Sequence, residues 1–291
     1  MTIATAASEQ EHEGTTTVKK PEMVLNEDGP EAYAATKVGD ACAKLWSQVA
    51  SRSRKSVLVY VHGRAAGFGG DREPKESFAK DKVITEFETD HNAAVIMLHW
   101  PHSAFLLGFP EDDARAAGPL LAKLLRTIEG TRLATMVGIP VVVVTHSMGG
   151  IVLEEAVLED SAAFDAVKNV VTSASAAKLK NSHKWLGRIQ PRVYVTRNEH
   201  DGTLNSVKSH GPFLGLGKAQ TLVASGLAGG AFYLDVTNQE VSHPYFYARQ
   251  SADDGRAHLR DKFFGPLYAG KALNMVNFDL AVPGSTVYMM K

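Results

Sequence analysis

The feature that most constrains the fold is a run of four valines followed closely by a serine and two glycines. The segment 141–153 reads VVVVTHSMGGIVL. Four consecutive β-branched residues favour a buried strand, and the apolar residues after the glycines favour a helix. Ser147 therefore lies at a tight strand-to-helix junction, with small residues two positions before it (Thr145) and two positions after it (Gly149). This pattern is typical of a nucleophile elbow, a strained turn that lifts a serine hydroxyl clear of the sheet. A serine that only caps the helix is the alternative.

Strands and helices alternate along the rest of the chain. Apolar strands are predicted at 56–63, 93–100, 139–147, 169–175, 192–198 and 230–237. Helices are predicted at 32–50, 75–90, 111–129, 148–160, 183–190 and 253–264. Since the strands are apolar nearly throughout, the sequence predicts an α/β fold whose mostly parallel sheet carries helices on both faces. We expect one domain over 31–266, a flexible tail over 1–30 and a C-terminal tail over 267–291.

Composition excludes several classes of chemistry. The 291 residues include 31 Lys and Arg against 32 Asp and Glu, so nothing suggests a nucleic-acid partner. The single cysteine, Cys42, excludes an internal disulfide and a cysteine-built metal site. The chain shows neither a secretory signal nor an apolar run of membrane-spanning length, so we expect a cytoplasmic protein without an integral membrane segment. We expect no metal and no cofactor.

A serine hydroxyl needs an adjacent base to act as a nucleophile near neutral pH. In the elbow arrangement an acid follows the serine along the chain, and a histidine comes last. Asp201 lies in the loop after the predicted strand 192–198, where Asp-Gly places a short carboxylate at a tight turn. Glu199, in the same loop, is the competing carboxylate. We predict Asp201 as the acid that orients the base, with a solvated loop charge as the alternative.

The predicted base is His243, which follows the last predicted strand. His210 is a weaker candidate because no strand separates it from the acid loop, and His258 lies on the predicted final helix. Ser147, Asp201 and His243 would then act as nucleophile, orienting acid and base.

Backbone N–H groups beside the serine are predicted to bind a developing oxyanion. Met148 offers one at the start of the helix. The loop that begins His62-Gly63 offers the second from Arg64 or Ala65, since glycine permits a close approach of the backbone. A merely flexible glycine-rich loop is the alternative. A phosphate cradle is disfavoured because the G-x-x-x-x-G-K-[ST] pattern is absent.

Apolar loops are predicted to build the pocket. The segments 105–109 and 212–216 would form pocket walls or a small lid, with ordinary loop packing as the alternative. Only one short helix is predicted between Ser175 and Arg192, so a large cap is absent from that position. The predicted substrate-binding residues are His62, Gly63, Phe105, Phe109 and His146.

These motifs resemble those of the α/β-hydrolase superfamily. The resemblance covers roughly residues 55 to 265 and is carried by His62-Gly63, by Thr-His-Ser-Met-Gly-Gly over 145–150, by Asp201 and by His243. Histidine before the serine and Met-Gly-Gly after it are similar to esterases and lipases of the superfamily. The Trp-Pro pair at 100–101, the acidic helix after it and the segment 242–246 also resemble a bacterial-type subgroup of largely unassigned hydrolases.

The resemblance implies a serine hydrolase that cleaves a carboxylic ester, thioester or amide of a small molecule through an acyl-enzyme on Ser147. A serine at this position argues against the dehalogenases and epoxide hydrolases of the superfamily, whose nucleophile is an aspartate. Thr145 replaces the usual glycine, and residues after 266 match nothing in the pattern. Two alternatives stay open: a hydrolase-fold receptor or scaffold, and acyl-transfer or lyase chemistry with the same three side chains.

Overall fold

The computed structural model describes residues 20–26, 29–64, 74–80, 82–101, 109–190, 192–216, 231–239, 243, 259–281, 283 and 286–290. Ten strands within these ranges form one sheet. They are β1 (Glu22–Asn26), β2 (Pro30–Ala34), β3 (Ser56–Val61), β4 (Ala93–His99), β5 (Val141–His146), β6 (Val167–Ser173), β7 (Arg192–Arg197), β8 (Phe232–Asp235), β9 (Phe278–Leu280) and β10 (Val287–Met290). Their order across the sheet is β2-β1-β4-β3-β5-β6-β7-β8-β10-β9.

The middle of the sheet is parallel from β4 to β10, and the antiparallel strands β1 and β9 lie toward its two ends. Every residue of β3 and β4 is buried. Burial on both faces explains why these strands read as continuous apolar runs rather than as alternating patterns. The predicted α/β fold with a mostly parallel sheet is confirmed.

The α-helices of the described residues are α1 (Val38–Ser51), α2 (Pro74–Lys80), α3 (Lys82–Thr89), α4 (Glu111–Ala116), α5 (Gly118–Gly130), α6 (Gly149–Glu159), α7 (Gly202–Ser206) and α8 (Gly265–Tyr268). A π-helical turn, Arg260–Phe264, leads into α8. Helices α1 and α5 are joined by a hydrogen bond of 3.0 Å from the Trp46 indole to the Ile128 carbonyl oxygen. Elsewhere α3 packs on α8 through Phe87 and Tyr268, whose ring centroids lie 4.9 Å apart.

Both predicted tails contribute strands to the sheet, which corrects the boundaries at 30 and 267. In β1, Met23, Val24 and Leu25 are fully buried, and the strand pairs with both β2 and β4. In the C-terminal segment, β10 pairs in parallel with β8, and Val287 is fully buried. Strands of three to five residues are too short to show the hydrophobic alternation of a strand, and their partners lie far away in sequence. The sequence therefore does not predict them. Residues 1–19 lie outside the described ranges.

Between β6 and β7, the described residues 174–190 contain only two short helical segments, both 3-10: Leu179–Lys184 and Leu186–Arg188. The prediction that no large cap is inserted there is confirmed. The predicted helix over 111–129 is instead two helices, α4 and α5, which meet at Ala117 just before Pro119. Within the part of the chain that the structure describes, every helix is too short or too polar to cross a bilayer.

The position of β1 inside the sheet can be tested by Leu25→Ala. Because Leu25 is fully buried, we expect the free energy of unfolding to fall by about 2–5 kcal/mol. Thr36→Ala, at an exposed position just after β2, is the matched control and should change little. Urea unfolding followed by circular dichroism measures both variants. A Leu25→Ala protein as stable as the wild type would contradict the assignment of β1 to the core.

Candidate active site

Ser147 occupies a strained turn between β5 and α6. Its φ is +52°, a left-handed conformation that is uncommon for a residue with a side chain. Backbone hydrogen bonds hold the turn from both sides: the Ser147 N–H donates to the Ser173 carbonyl oxygen (3.0 Å), and the Ser147 carbonyl oxygen accepts from Ala176 N–H (2.9 Å) and Gly150 N–H (3.1 Å). The end of β6 therefore supports the serine, and the geometry matches the predicted elbow.

Three glycines around Ser147 have no room for a side chain. A Cβ on Gly63 would lie 2.8 Å from the Ser147 Cβ, and one on Gly149 would lie 2.4 Å from the Val61 carbonyl oxygen. A Cβ on Gly150 would lie 2.1 Å from the Ser175 Oγ. These short distances show that the end of β3, the turn and the loop after β6 approach one another closely.

Thr145 fits the place where the superfamily pattern usually has glycine. It is fully buried on β5, directly opposite Thr172 on β6, and its hydroxyl donates to the Thr172 hydroxyl at 2.9 Å. The partner hydroxyl satisfies a polar group that would otherwise be costly to bury. A threonine is therefore accommodated two residues before the serine.

Asp201 and His243 are joined directly. Asp201 caps the start of α7, where its Oδ1 accepts the Leu204 N–H at 2.9 Å. Its Oδ2 accepts a hydrogen bond of 2.7 Å from Nδ1 of His243. With Nδ1 as the donor, a neutral His243 carries its lone pair on Nε2, the nitrogen that a general base needs.

His243 is next to the elbow through His146, the residue before Ser147. The two rings have centroids 4.6 Å apart, and the His146 Nε2–H donates to the His243 carbonyl oxygen at 3.4 Å. The hydrogen bonds of the described residues include none between the Ser147 hydroxyl and His243. Such contacts are often long in the absence of substrate.

His146 is neutral in this setting. Burial lowers its pKa well below the ordinary value for histidine, and a charge on His243 would lower it further. A neutral ring with a proton on Nε2 can donate to the His243 carbonyl oxygen without adding a positive charge beside the predicted base.

Among the described residues, no group of three or more His, Cys, Asp or Glu side chains could hold a metal ion.

Glu199, the competing carboxylate, has a different partner. It pairs with the Arg197 guanidinium, which is fully buried at the end of β7 and also pairs with Asp235 at the end of β8. The Glu199 N–H donates to the Thr237 hydroxyl at 3.1 Å, which ties the acid loop to the chain after β8. Arg197 thus links the loop that carries Asp201 to the end of β8, a role that sequence reasoning missed because Arg197 and Asp235 lie on separate strands.

The two other candidate histidines are placed differently. His210 is exposed and stacks on Phe109, with ring centroids 4.9 Å apart. His258 lies outside the described residues.

The predicted oxyanion donors border the serine. Met148 follows it directly and precedes the first residue of α6, where N–H groups lack partners within the helix. Arg64, a half-buried residue, follows Gly63, where an added Cβ would lie 2.8 Å from the Ser147 Cβ. Ala65, the other possible second donor, lies outside the described residues.

The predicted substrate-binding side chains are only partly brought together. His62 is buried, and its ring nitrogens contact the Gly63 carbonyl oxygen and His99. His146 contacts His243, as described above. Phe109 is half-buried and stacks on Phe213, with ring centroids 5.4 Å apart. Phe105 lies outside the described residues.

The segment 212–216 is packed into the protein at the carboxyl ends of β6 and β7. Phe213 and Leu214 are fully buried. The Gly215 N–H donates to the Ser175 carbonyl oxygen (2.9 Å), and the Gly215 carbonyl oxygen accepts the Asn198 N–H (2.9 Å). These contacts agree with ordinary loop packing, the alternative weighed for this segment.

A central parallel sheet with a strained serine turn and an Asp–His pair at its carboxyl edge defines a protein of the α/β-hydrolase class. The family described as "Alpha/beta hydrolase of unknown function (DUF900)" matches residues 39–193. This match spans more than half of the chain, so the chain belongs to that family. The resemblance to the α/β-hydrolase superfamily is thereby confirmed. No curated protein sequence matches the chain.

Several solved structures are similar at low identity. Esterase PE8 is 17% identical, with 72% of this chain and 93% of that chain covered and a TM-score of 0.43. A predicted CIB-like hydrolase from Thermoplasma acidophilum is 15% identical, with 72% and 84% covered and a TM-score of 0.40. Esterase 2 of Thermogutta terrifontis, phosphorylated by paraoxon, is 13% identical, with 74% and 83% covered and a TM-score of 0.40. At these TM-scores the similarities carry no argument about activity.

The tight packing behind the elbow predicts that a substitution at Ser175 partly restores the stability lost by a substitution at Gly150. Gly150→Ala should lower the free energy of unfolding by about 1–3 kcal/mol, because its Cβ would overlap the Ser175 Oγ. Adding Ser175→Ala removes that oxygen and should recover part of the loss. Gly187→Ala, a position with open space around it, is the control. Additive effects in a double-mutant cycle would show that the two residues do not meet.

The buried Arg197 should matter far more than an exposed arginine. Arg197→Met leaves the Asp235 carboxylate without its cationic partner, so we expect a loss of about 3 kcal/mol in the free energy of unfolding. Arg126→Met, which breaks the exposed Arg126–Asp160 pair, should change stability little. Chemical denaturation compares the two. Equal effects would contradict a buried ionic link between β7 and β8.

Proposed function

We propose that this protein is a serine hydrolase that cleaves a carboxylic ester of a small molecule through an acyl-enzyme on Ser147. The observation that carries the proposal is the Asp201–His243 hydrogen bond beside the strained turn of Ser147. The order along the chain, serine then aspartate then histidine, is the order of this fold's hydrolases. Membership of a hydrolase family supports the same reaction class.

The first half of the proposed reaction forms the acyl-enzyme. The Ser147 hydroxyl oxygen attacks the ester carbonyl carbon while Nε2 of His243 accepts the hydroxyl proton. Asp201 stabilises the resulting imidazolium through Nδ1–H and holds the ring in one tautomer. The N–H groups of Met148 and Arg64 bind the negative oxygen of the tetrahedral intermediate. Collapse of that intermediate expels the alkoxide, which takes the proton from His243 and leaves as an alcohol.

The second half releases the acid. A water molecule gives its proton to His243 and attacks the acyl carbon, the tetrahedral intermediate forms again, and Ser147 leaves with the proton that His243 returns. The products are an alcohol and a carboxylic acid. Thioesters and amides would follow the same steps, since only the leaving group differs.

The buried setting supports this chemistry. Asp201 has 1% of its surface exposed, so its interaction with the imidazolium is screened little by solvent. The carboxylate also accepts the Leu204 N–H, which holds it in place before substrate arrives. A pre-organised acid of this kind needs no rearrangement when charge develops on the base.

The proposal predicts a clear ranking of variants. Ser147→Ala should abolish p-nitrophenyl acetate hydrolysis, since no nucleophile remains. Asp201→Asn should lower kcat by about 10⁴-fold, because the amide no longer holds the required tautomer of the base. Glu199→Gln is the matched control: it changes the neighbouring carboxylate, and it should retain most of the activity.

Steady-state kinetics over a series of p-nitrophenyl esters of increasing chain length measures these variants and reports the acyl preference. Turnover that persists in Ser147→Ala, or a larger loss in Glu199→Gln than in Asp201→Asn, would contradict the assignment of the three residues.

A further inference from the structure

The ring of His62, at the end of β3, is contacted by two residues from the end of β4, His99 and Trp100. His62, His99 and Trp100 are each more than nine-tenths buried. The indole of Trp100 lies parallel to the His62 ring, with centroids 5.7 Å apart and planes 9° apart, and its Nε1–H donates to the His62 carbonyl oxygen at 2.9 Å. Both His99 and Trp100 come from the end of β4, a strand that carries none of the residues proposed to react.

The contacts of the ring select one tautomer. Nε2 of His62 accepts the Trp100 backbone N–H at 3.3 Å and lies 3.2 Å from Nδ1 of His99. On the other side of the ring, Nδ1 lies 2.5 Å from the Gly63 carbonyl oxygen, which can only accept. In the other tautomer, the proton on Nε2 would point at the Trp100 N–H, so two donors would face each other. The lone pair of Nδ1 would then face the Gly63 carbonyl oxygen, so two acceptors would also face each other. The proton therefore lies on Nδ1, and His99 donates from its own Nδ1.

This hydrogen bond fixes the peptide that precedes Arg64. The Gly63 carbonyl oxygen is held by His62, and the described chain has no cis peptide bond, so the Arg64 N–H points away from the His62 ring. Gly63 itself packs against the Ser147 side chain, where a Cβ would come within 2.8 Å of the Ser147 Cβ. A flip of this peptide would turn a carbonyl oxygen, instead of an N–H, away from His62.

We propose that His62, locked in its Nδ1–H tautomer by His99 and Trp100, is the positioning residue that aims the Arg64 N–H at the oxyanion. This inference rests on the proposed function, because the oxyanion forms only if Ser147 attacks a carbonyl group. It also gives a role to a histidine that is buried beside the elbow. His62 acts through a backbone peptide and does not touch the substrate.

A pair of variants separates the hydrogen bond from packing. His62→Phe keeps an aromatic ring beside Trp100 and removes the donor, whereas His62→Asn places an amide N–H near the position of Nδ1. We expect His62→Phe to lower kcat for p-nitrophenyl acetate by about 10–100-fold with KM changed less than about threefold. His62→Asn should recover a substantial part of that loss.

The inhibition constant of a trifluoromethyl ketone reports the oxyanion contact, and it would not change if His62 had only a structural role. Attack by serine on this ketone forms a hemiketal oxyanion, so its inhibition constant should rise across the variants in proportion to the fall in kcat/KM. Unchanged kcat in a folded His62→Phe, equal losses in the two variants, or a lower kcat with unchanged ketone affinity would each overturn the proposal.

The wild-type protein supplies a test that does not depend on the variants folding. The ¹⁵N NMR shifts of the His62 ring should report a protonated Nδ1 and an unprotonated Nε2, and the opposite tautomer would overturn the proposal. Loss of the nucleophile role of Ser147 and loss of the positioning role of His62 give different results. If Ser147 is not a nucleophile, the wild type neither hydrolyses the ester nor binds the ketone. If only the role of His62 is wrong, the wild type does both and His62→Phe behaves like it.

Discussion

The close approach of three backbone segments at Ser147 is the constraint on which the rest of this structure depends. The end of β3, the turn after β5 and the loop after β6 meet where Gly63, Gly149 and Gly150 leave no space for a Cβ. Parallel pairing of β5 with both β3 and β6 brings these segments to the same edge of the sheet. The positive φ of Ser147 costs conformational energy of about 1–3 kcal/mol. The residue is held there by its N–H, which donates to Ser173, and by its carbonyl oxygen, which accepts from Gly150 and Ala176.

The same edge gathers polar groups that are expensive to bury unless they are paired. Asp201 accepts hydrogen bonds from His243 and from the Leu204 N–H. Arg197 forms ion pairs with Asp235 and Glu199. Arg197 and Asp235 are the last residues of β7 and β8, so the sheet sets their positions, whereas Asp201 is held as the cap of α7. A satisfied buried network of this kind is rigid, because breaking any member leaves an unpaired charge or donor. Rigidity at the strand ends is what a pre-organised site requires.

Much of the fold could be predicted from the sequence, because its central strands are buried on both faces. Such strands appear as apolar runs of six or seven residues, as in β3, β4 and β5. The turn at Ser147 was equally visible, since its small residues and its position between strand and helix lie within thirteen consecutive positions. The loops of Asp201 and His243 could be identified from their places after predicted strands.

What escaped prediction depends on partners far apart in sequence. Strands β1, β9 and β10 are short, and their place in the sheet comes from pairing with distant strands. The sequence neighbours of His62 give no hint of His99 and Trp100, which reach it only through the pairing of β3 with β4. The sequence leaves Glu199 in competition with Asp201 for the same reason, since the hydrogen bond that distinguishes Asp201 comes from His243, 42 positions further along the chain.

The central claim is that Ser147 is the nucleophile of a serine hydrolase. Its most direct test is to treat the wild-type protein with a fluorophosphonate and locate the adduct by peptide mass spectrometry. The account predicts one stoichiometric adduct on Ser147 and parallel loss of ester hydrolysis. A protein that stays unmodified, or that carries the adduct on another residue while its esterase activity is lost, would contradict it.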